Sequence, residues 1–464
     1  MGGTPRLVIG LLVTATTVVA AIGARPYAGG WNDGSRLATA ESLVDAGSWT
    51  IDDSVFVQPR ARAPSAPPPY PADDRLLMEH GTLDRLSIDG RFVSDKTPFA
   101  NLVVAGEYWL IQKSTGLVAR ERPDRFAYAV TLASAGLSYV IAVGAMTLLA
   151  WRATRSSGWT AAVGVGFAFA TCAPAYSRHV NGHEMLLAAL AALLVALDAS
   201  HADRDRVSSV RLASIGTLAG VAYGLDAAIG PLIVVLTLAL VFSLARWRAL
   251  VAVAAAAPWI ALEHLLNFRI GHTVLPLNSV PAYLAWPGSP FDPTTMSGTY
   301  AHGSVWHFVN YTIDLAIGRR GFLLHNLPLL MLPAAAWRVV RVRRADGERR
   351  LALFALALSV AGWIVYGLGS TNYSGVALSI RWFVPLLAPA FYLLALDLRD
   401  TLDDRLPFAI LTVVGIPMAV SAWIAGPWEP RVPLFWWWVA IGIGGVLAAR
   451  ARSSISRENA KTRT

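Results

Sequence analysis

Four short polar stretches interrupt an otherwise apolar chain, and they hold the side chains best suited to chemistry. The first is Trp31-Asn32-Asp33-Gly34-Ser35-Arg36, a few residues beyond an apolar run. An aspartate there can take a proton from a substrate hydroxyl; alternatively, Asp33 caps the helix that follows. The second, Ser94-Asp95-Lys96-Thr97-Pro98, supplies a lysine able to neutralise a lipid phosphate or, more simply, to snorkel to anionic headgroups. The third is His179-Val180-Asn181-Gly182-His183-Glu184. Its histidines are spaced i,i+4, but the second histidine of a His-Glu-x-x-His helix is missing, which favours a polar cap over a metal site. In the fourth, Thr371-Asn372-Tyr373-Ser374-Gly375 leads to Ser379-Ile380-Arg381-Trp382. Arg381 has no acidic neighbour in sequence, and a guanidinium suits bidentate phosphate binding; the alternative is satisfaction by carbonyls or a distant carboxylate. Asp226, Glu263, His264 and His325 stand alone and are read as buried and paired. Asn310-Tyr311-Thr312 and Asn372-Tyr373-Ser374 match the N-glycosylation sequon, a pattern common by chance.

The elements that must hold these stretches are set by the composition of the rest. Of 464 residues, 55% are hydrophobic and 15% charged, with mean hydropathy +0.48, whereas a soluble domain carries roughly 25% charged residues. Runs of the roughly 20 apolar residues needed to span about 30 Å of hydrocarbon fall near 6–24, 126–151, 158–176, 184–200, 210–225, 227–245, 249–267, 321–340, 351–369, 380–397, 406–425 and 432–449. The expected fold is therefore an all-α polytopic membrane protein of about twelve transmembrane helices, forming one domain over 1–464. The net charge of +9 is not a stripe on one soluble face, so nucleic acid is not an expected partner. The single cysteine, Cys172, excludes an intramolecular disulfide and a thiolate metal cluster.

With the amino terminus inside, 21 of the 39 lysines and arginines fall on the cytoplasmic side and the short external loops hold few. That asymmetry predicts both termini cytoplasmic. Arg6 and the apolar run to Ala20-Ala21 also resemble a cleaved signal peptide, but a retained first helix is the favoured reading. Two external regions remain. Residues 25–125 contain an amphipathic stretch, Arg36–Ser48, that suits an interfacial helix. A proline-rich linker (Pro59–Pro71), a hairpin over Thr82–Lys96 with Asp89-Gly90 as its turn and an apolar surface or re-entrant run, Phe99–Ile111, follow. Residues 268–320 form the second external loop, rich in proline, glycine and aromatics.

Taken in order, these segments resemble the GT-C superfamily of polytopic glycosyltransferases, in the branch of the lipid A aminoarabinose transferases, protein mannosyltransferases and Rgt-like enzymes. Trp31–Leu43 resembles the family's first external loop, which opens on an aspartate. Phe92–Pro98 resembles its Tyr-x-x-Lys-Pro-Pro-like motif, and Gly318–Leu330 and Ser374–Pro385 are similar to later patterns. Two positions depart: Gly34 replaces a second acidic residue, and Thr97 a proline. The resemblance implies a polyprenyl-phosphate-sugar donor, an extracytoplasmic acceptor (lipid, glycan or protein) and an active site outside a cell (inner) membrane. It implies Asp33 as catalytic base and Lys96 and Arg381 as donor-phosphate ligands. Glu184, Asn181 and Asn372 are further substrate-binding candidates. No metal ligands are assigned, although a divalent metal is compatible with the family. Competing expectations are a flippase or transporter of lipid-linked sugars, which should show repeated halves and broken helices, and a non-catalytic membrane scaffold.

Overall fold

The computed structural model describes residues 3–201, 207–292, 298, 300–342 and 344–461. In chain order its helices are α1 (Gly3–Gly23), α2 (Trp31–Asp45), α3 (Arg75–His80), α4 (Pro98–Thr115), α5 (Pro123–Thr131), α6 (Leu137–Thr154), α7 (Ser157–Phe169), α8 (Ala173–Tyr176), α9 (Gly182–His201) and α10 (Ser209–Leu225). They continue as α11 (Gly230–Ala245), α12 (Leu250–Gly271), α13 (Pro281–Leu284), α14 (Val305–Ile317), α15 (Leu332–Arg341), α16 (Asp346–Leu368), α17 (Leu387–Asp400), α18 (Arg405–Ala425) and α19 (Phe435–Lys461). Between α3 and α4 lie the two antiparallel strands β1 (Arg85–Ile88) and β2 (Arg91–Ser94).

Seven helical segments among the described residues are long and apolar enough to cross a membrane, the longest being Gly230–Gly271 at 42 residues. At 1.5 Å per residue that segment is about twice the hydrocarbon thickness. It breaks at Arg246, whose φ is 51°, into α11 and α12. Two shorter apolar helices, Ser157–Phe169 and Ser209–Leu225, accompany the seven. Apart from the β1–β2 hairpin the chain is an all-α polytopic membrane protein, and every expected apolar run except 321–340 and 158–176 coincides with helical structure.

Three local readings need correction. The run 321–340 is not one continuous helix: a turn leads into a 3₁₀ segment, Leu327–Met331, and α15 has only ten residues. Pro328 and Pro333 lack the N–H groups that a continuous α-helix would need there. The run 158–176 likewise ends at Phe169 and resumes briefly around Pro174. The helix expected from Arg36 begins earlier, at Trp31, and is not a helix with one face left to lipid. Asn32, Asp33, Ser35, Arg36, Thr39, Glu41 and Ser42 are buried along with Leu37, Ala38 and Ala40, because elements outside the bundle helices cover its polar side.

Those elements are the hairpin, which meets Ser35, and the turn at Ser54-Val55, which meets Glu41; the hairpin in turn packs on residues 277–286. Asp89 and Gly90 take positive φ values of 52° and 75°, as a two-residue type I′ turn requires. Leu86, Ile88 and Val93 of the hairpin form a small core with Leu277 and Leu284. Arg85 lies between the rings of Phe92 and Trp286, 4.1 and 4.7 Å from their centroids. Ser35 Oγ donates to the Asp84 carbonyl at 2.6 Å and pairs with Ser94 Oγ at 2.7 Å, which ties α2 to the hairpin.

Inside the bundle, α17 is buried from Leu387 through Leu398 and packs against α6, α7, α9, α15 and α16, so it is the central helix. A helix apolar on all sides belongs in that position. The closest backbone approach is between α10 and α12. There a β-carbon on Gly216 would run into the Ala252 carbonyl, and one on Gly220 would lie 2.7 Å from the Ala256 carbonyl oxygen. The Gly216-x-x-x-Gly220 spacing is the small-residue seam that lets membrane helices touch.

Candidate active site

The first turn of α2 starts the site. Gly30 is extended, and Asp33, in the first turn, accepts hydrogen bonds from the backbone N–H groups of Gly29 at 2.7 Å and Gly30 at 2.9 Å. Asp33 Oδ2 also lies 2.9 Å from His179 Nδ1, off the line of a straight hydrogen bond, and Asp33 is 1% exposed. This carboxylate therefore fixes the start of α2 and joins it to the 178–183 loop. One turn apart on α2, Asn32 and Arg36 share a face (i,i+4).

The hairpin delivers Lys96 to that face. Its Nζ lies 2.5 Å from Asp84 Oδ2 and 2.7 Å from Asp95 Oδ2. Arg381 arrives from the start of the 3₁₀ segment Arg381–Leu386 that leads into the central helix α17. In the amide orientation that satisfies its neighbours, Asn32 bridges the two: its oxygen accepts from Lys96 Nζ at 3.1 Å and from Arg381 at 3.2 Å. Three stretches far apart in sequence thus meet at one polar centre.

Other charges complete it. Asp226, at the junction of α10 and α11, accepts from the Ala228 and Ile229 N–H groups at 2.9 and 3.0 Å and from the Tyr366 hydroxyl at 3.3 Å. It also lies 3.6 Å from His183 Nδ1. Tyr366 stacks on Trp382, next to Arg381, with rings 5.1 Å apart. Arg36 runs beside Gly182, where a β-carbon would sit 3.1 Å from its guanidinium. Burial pulls Arg36 down to about 10, an effect opposed by the charge of Asp95 and reinforced by Arg381. Burial also raises the Asp95 and Asp226 carboxyls above their usual range, against the pull of Lys96 on the first and of the hydrogen bonds on the second.

The remaining polar capacity points to an anion. Arg36 Nε and one terminal nitrogen, together with Arg381 Nε, are buried with no acceptor, and Asp95 Oδ1 is buried with no donor. A buried donor left unmade costs about 1–3 kcal/mol, more when charged. A phosphate oxygen placed between the guanidinium groups would relieve that cost.

Among the remaining residues picked out from the sequence, Asn181 caps α9: its Nδ2 donates to the Tyr176 and His179 carbonyls at 2.6 and 3.0 Å, and its Oδ1 accepts from the Glu184 N–H at 3.0 Å. Asn372 Oδ1 accepts from the Gly375 N–H at 3.2 Å and shapes the turn before Arg381. Glu184 is fully buried and neither carboxylate oxygen has a hydrogen-bond partner. Among the described residues no three His, Cys, Asp or Glu side chains are grouped to hold a metal ion, and Asp33 is committed to Gly29, Gly30 and His179.

Arg36, Asp84, Asp95, His183 and Tyr366 join the site without having been assigned a role from sequence. For Arg36 a signal exists: it stands one helical turn from Asn32 on α2. Asp84 and Tyr366 carry no local signal, because only the hairpin pairing and the packing of α16 bring them in.

No protein-family model and no curated protein matches the chain. Among solved structures it is similar to ArnT from Cupriavidus metallidurans bound to undecaprenyl phosphate, at 15% identity and TM-score 0.48, over 95% of this chain and 75% of that one. It is also similar to the archaeal oligosaccharyltransferase AglB from Archaeoglobus fulgidus in complex with an inhibitory peptide and a dolichol-phosphate. That match has 11% identity and TM-score 0.45 over 96% of this chain, which spans 56% of the AglB chain.

Proposed function

We propose that this chain is a GT-C-type membrane glycosyltransferase that moves a sugar from a polyprenyl-phosphate-linked donor to an extracytoplasmic acceptor, with both termini cytoplasmic. The observation that carries the reading is the Asn32 bridge between Lys96 and Arg381, set among buried guanidinium N–H groups that lack acceptors. Such a centre suits a lipid phosphate whose chain stays in the bilayer. As the acceptor hydroxyl attacks the anomeric carbon, the bond to the phosphate oxygen breaks and negative charge grows on the departing lipid phosphate. Lys96, Arg381 and Arg36 stabilise that charge.

The acceptor proton needs a base. Asp33 is the residue the family pattern points to, and in that role it would exchange one of its present hydrogen bonds for the acceptor hydroxyl. Asp95 is the alternative that the geometry favours, because its Oδ1 is unpartnered beside Lys96 and burial raises its basicity.

The test is sugar transfer by the purified chain from a panel of polyprenyl-phosphate sugars, for wild type, Lys96→Met and Arg381→Gln. Turnover in wild type with a loss of at least a hundredfold in both variants supports the reading. Donor translocation across vesicles without release of the sugar would establish a flippase instead, and wild-type turnover retained in both variants would end the assignment of the phosphate site.

A further inference from the structure

A cavity of about 450 Å³ opens beside the start of α19, lined by Arg319, His325, Arg431, Phe435, Trp436 and Trp437 among others. It lies at the same end of the bundle as the Lys96–Arg381 centre. From the Asp404 end, where Arg338 and Arg450 pair, α18 runs to Gly426, and Trp428 then lies 5.8 Å from the Arg381 guanidinium. The cavity is nevertheless distinct from that centre: none of the residues that line it belongs to the Asn32–Lys96–Arg381 group. Arg320 clamps the loop carrying Arg381 by donating to the Gly375 carbonyl at 2.9 Å, and Leu378 lines an apolar cleft that shares His325 and Val432 with the cavity.

The lining is cationic on one side and apolar on the other. Neither Arg319 nor Arg431 makes a side-chain hydrogen bond or ion pair among the described residues, and no acidic residue lines the cavity. Glu429, nearby and exposed, accepts from the Arg431 backbone N–H at 2.9 Å. His325 is buried, donates from Nδ1 to the Gly321 carbonyl at 3.0 Å and packs on Phe435 at 4.5 Å, which leaves Nε2 as an acceptor. At the rim, Trp436 and Trp437 are 57% and 64% exposed. Indoles in that position mark the headgroup level of a bilayer. Leu434, Trp437 and Ile441 continue the exposed apolar face along α19.

From this arrangement we propose a second lipid site: the cavity holds the phosphate-bearing headgroup of a membrane lipid, with the phosphate between Arg319 and Arg431 and the acyl chains along α19. His325 Nε2 accepts a hydrogen bond from a headgroup hydroxyl. A volume of this size accommodates a glycerophosphate headgroup, and a soluble anion would make no use of the indoles or the apolar stripe. The site does not depend on the transferase reading.

The experiment is native mass spectrometry of the full chain in a neutral detergent, titrated with phosphatidylglycerol. Phosphatidylcholine and inorganic phosphate serve as separate arms. The expected result is retention of phosphatidylglycerol over phosphatidylcholine, no displacement by inorganic phosphate, and a loss of at least tenfold in apparent affinity in R319Q/R431Q. The R319K/R431K variant should recover most of that affinity, whereas K96M/R381Q should leave this lipid in place. Equal retention by R319Q/R431Q, equal binding of phosphatidylcholine, displacement by inorganic phosphate, or loss only in K96M/R381Q would each overturn the proposal. Both arginines are exposed, so their glutamine variants keep the fold.

Discussion

Lys96 already has three partners, Asp84, Asp95 and Asn32, so an incoming phosphate must compete with a carboxylate for its ammonium. The guanidinium groups differ, since Arg36 and Arg381 keep N–H groups without acceptors. Arg36→Gln is therefore expected to raise the apparent KM for a polyprenyl-phosphate sugar about tenfold or more while Arg36→Lys restores little, because lysine cannot present the fork; steady-state kinetics in detergent would measure this. The pH profile of two substitutions tests Asp95. If Asp95 takes the proton, activity rises with pH as its elevated carboxyl ionises. Asp95→Asn then loses roughly 10²–10⁴-fold and Asp33→Asn keeps the same rising limb. The reverse pattern would assign the role to Asp33. The sequence marked Asp33, Lys96 and Arg381 by residue type, but it gave no way to see that Asn32 joins two of them. That contact depends on a strand pairing and on a loop more than 270 residues away.

Helices were legible where the signal was length, and less so where partners decide. The hairpin was readable because Asp89-Gly90 is a local instruction, whereas the burial of both faces of α2 depends on residues outside the helix: Asp84 and Ser94 bond Ser35, and the Tyr70 hydroxyl sits where a β-carbon on Gly34 would go. Glu41 on α2 shows the consequence. It accepts from the Ser54 hydroxyl at 2.5 Å and the Val55 N–H at 3.0 Å, and burial pushes its carboxyl up to about 7. A carboxyl more basic folded than unfolded stabilises fully below its unfolded value near 4.5. That contribution, at most about 3 kcal/mol, is lost as pH rises toward 7. Apparent Tm followed by tryptophan fluorescence should fall over this window in wild type, and Glu41→Gln should flatten the slope. The α10–α12 seam offers a second test. Gly220→Leu should lower apparent Tm by several degrees, while the same change at Gly158, which has open space around it, should have little effect.

On the scale of the whole molecule, ionic groups sort to opposite ends of the bundle. At the end away from the candidate site, Arg338 pairs with Asp397 and Asp404, Arg344 with Glu348 and Asp400, and Arg399 with Glu348 and Asp400. Arg344–Glu348 and Arg399–Asp400 are local pairs, whereas Arg338–Asp397, Arg344–Asp400 and Arg399–Glu348 join segments more distant in sequence. The basic loops that predicted this end to be cytoplasmic are the same ones that carry these arginines. The proposed orientation makes a definite prediction: a cysteine at Asp89 should react with an impermeant maleimide added to intact cells, and one at Arg349 only after the membrane is opened.

Cys172 makes that mapping simple. It is 2% exposed and lines only a narrow apolar cleft, so charged, water-borne thiol reagents are expected to react with it slowly. The native chain already serves as a near-silent background: each engineered thiol at an aqueous surface reports first, and spin or fluorophore pairs can be placed across the Arg381 loop without first replacing any natural side chain.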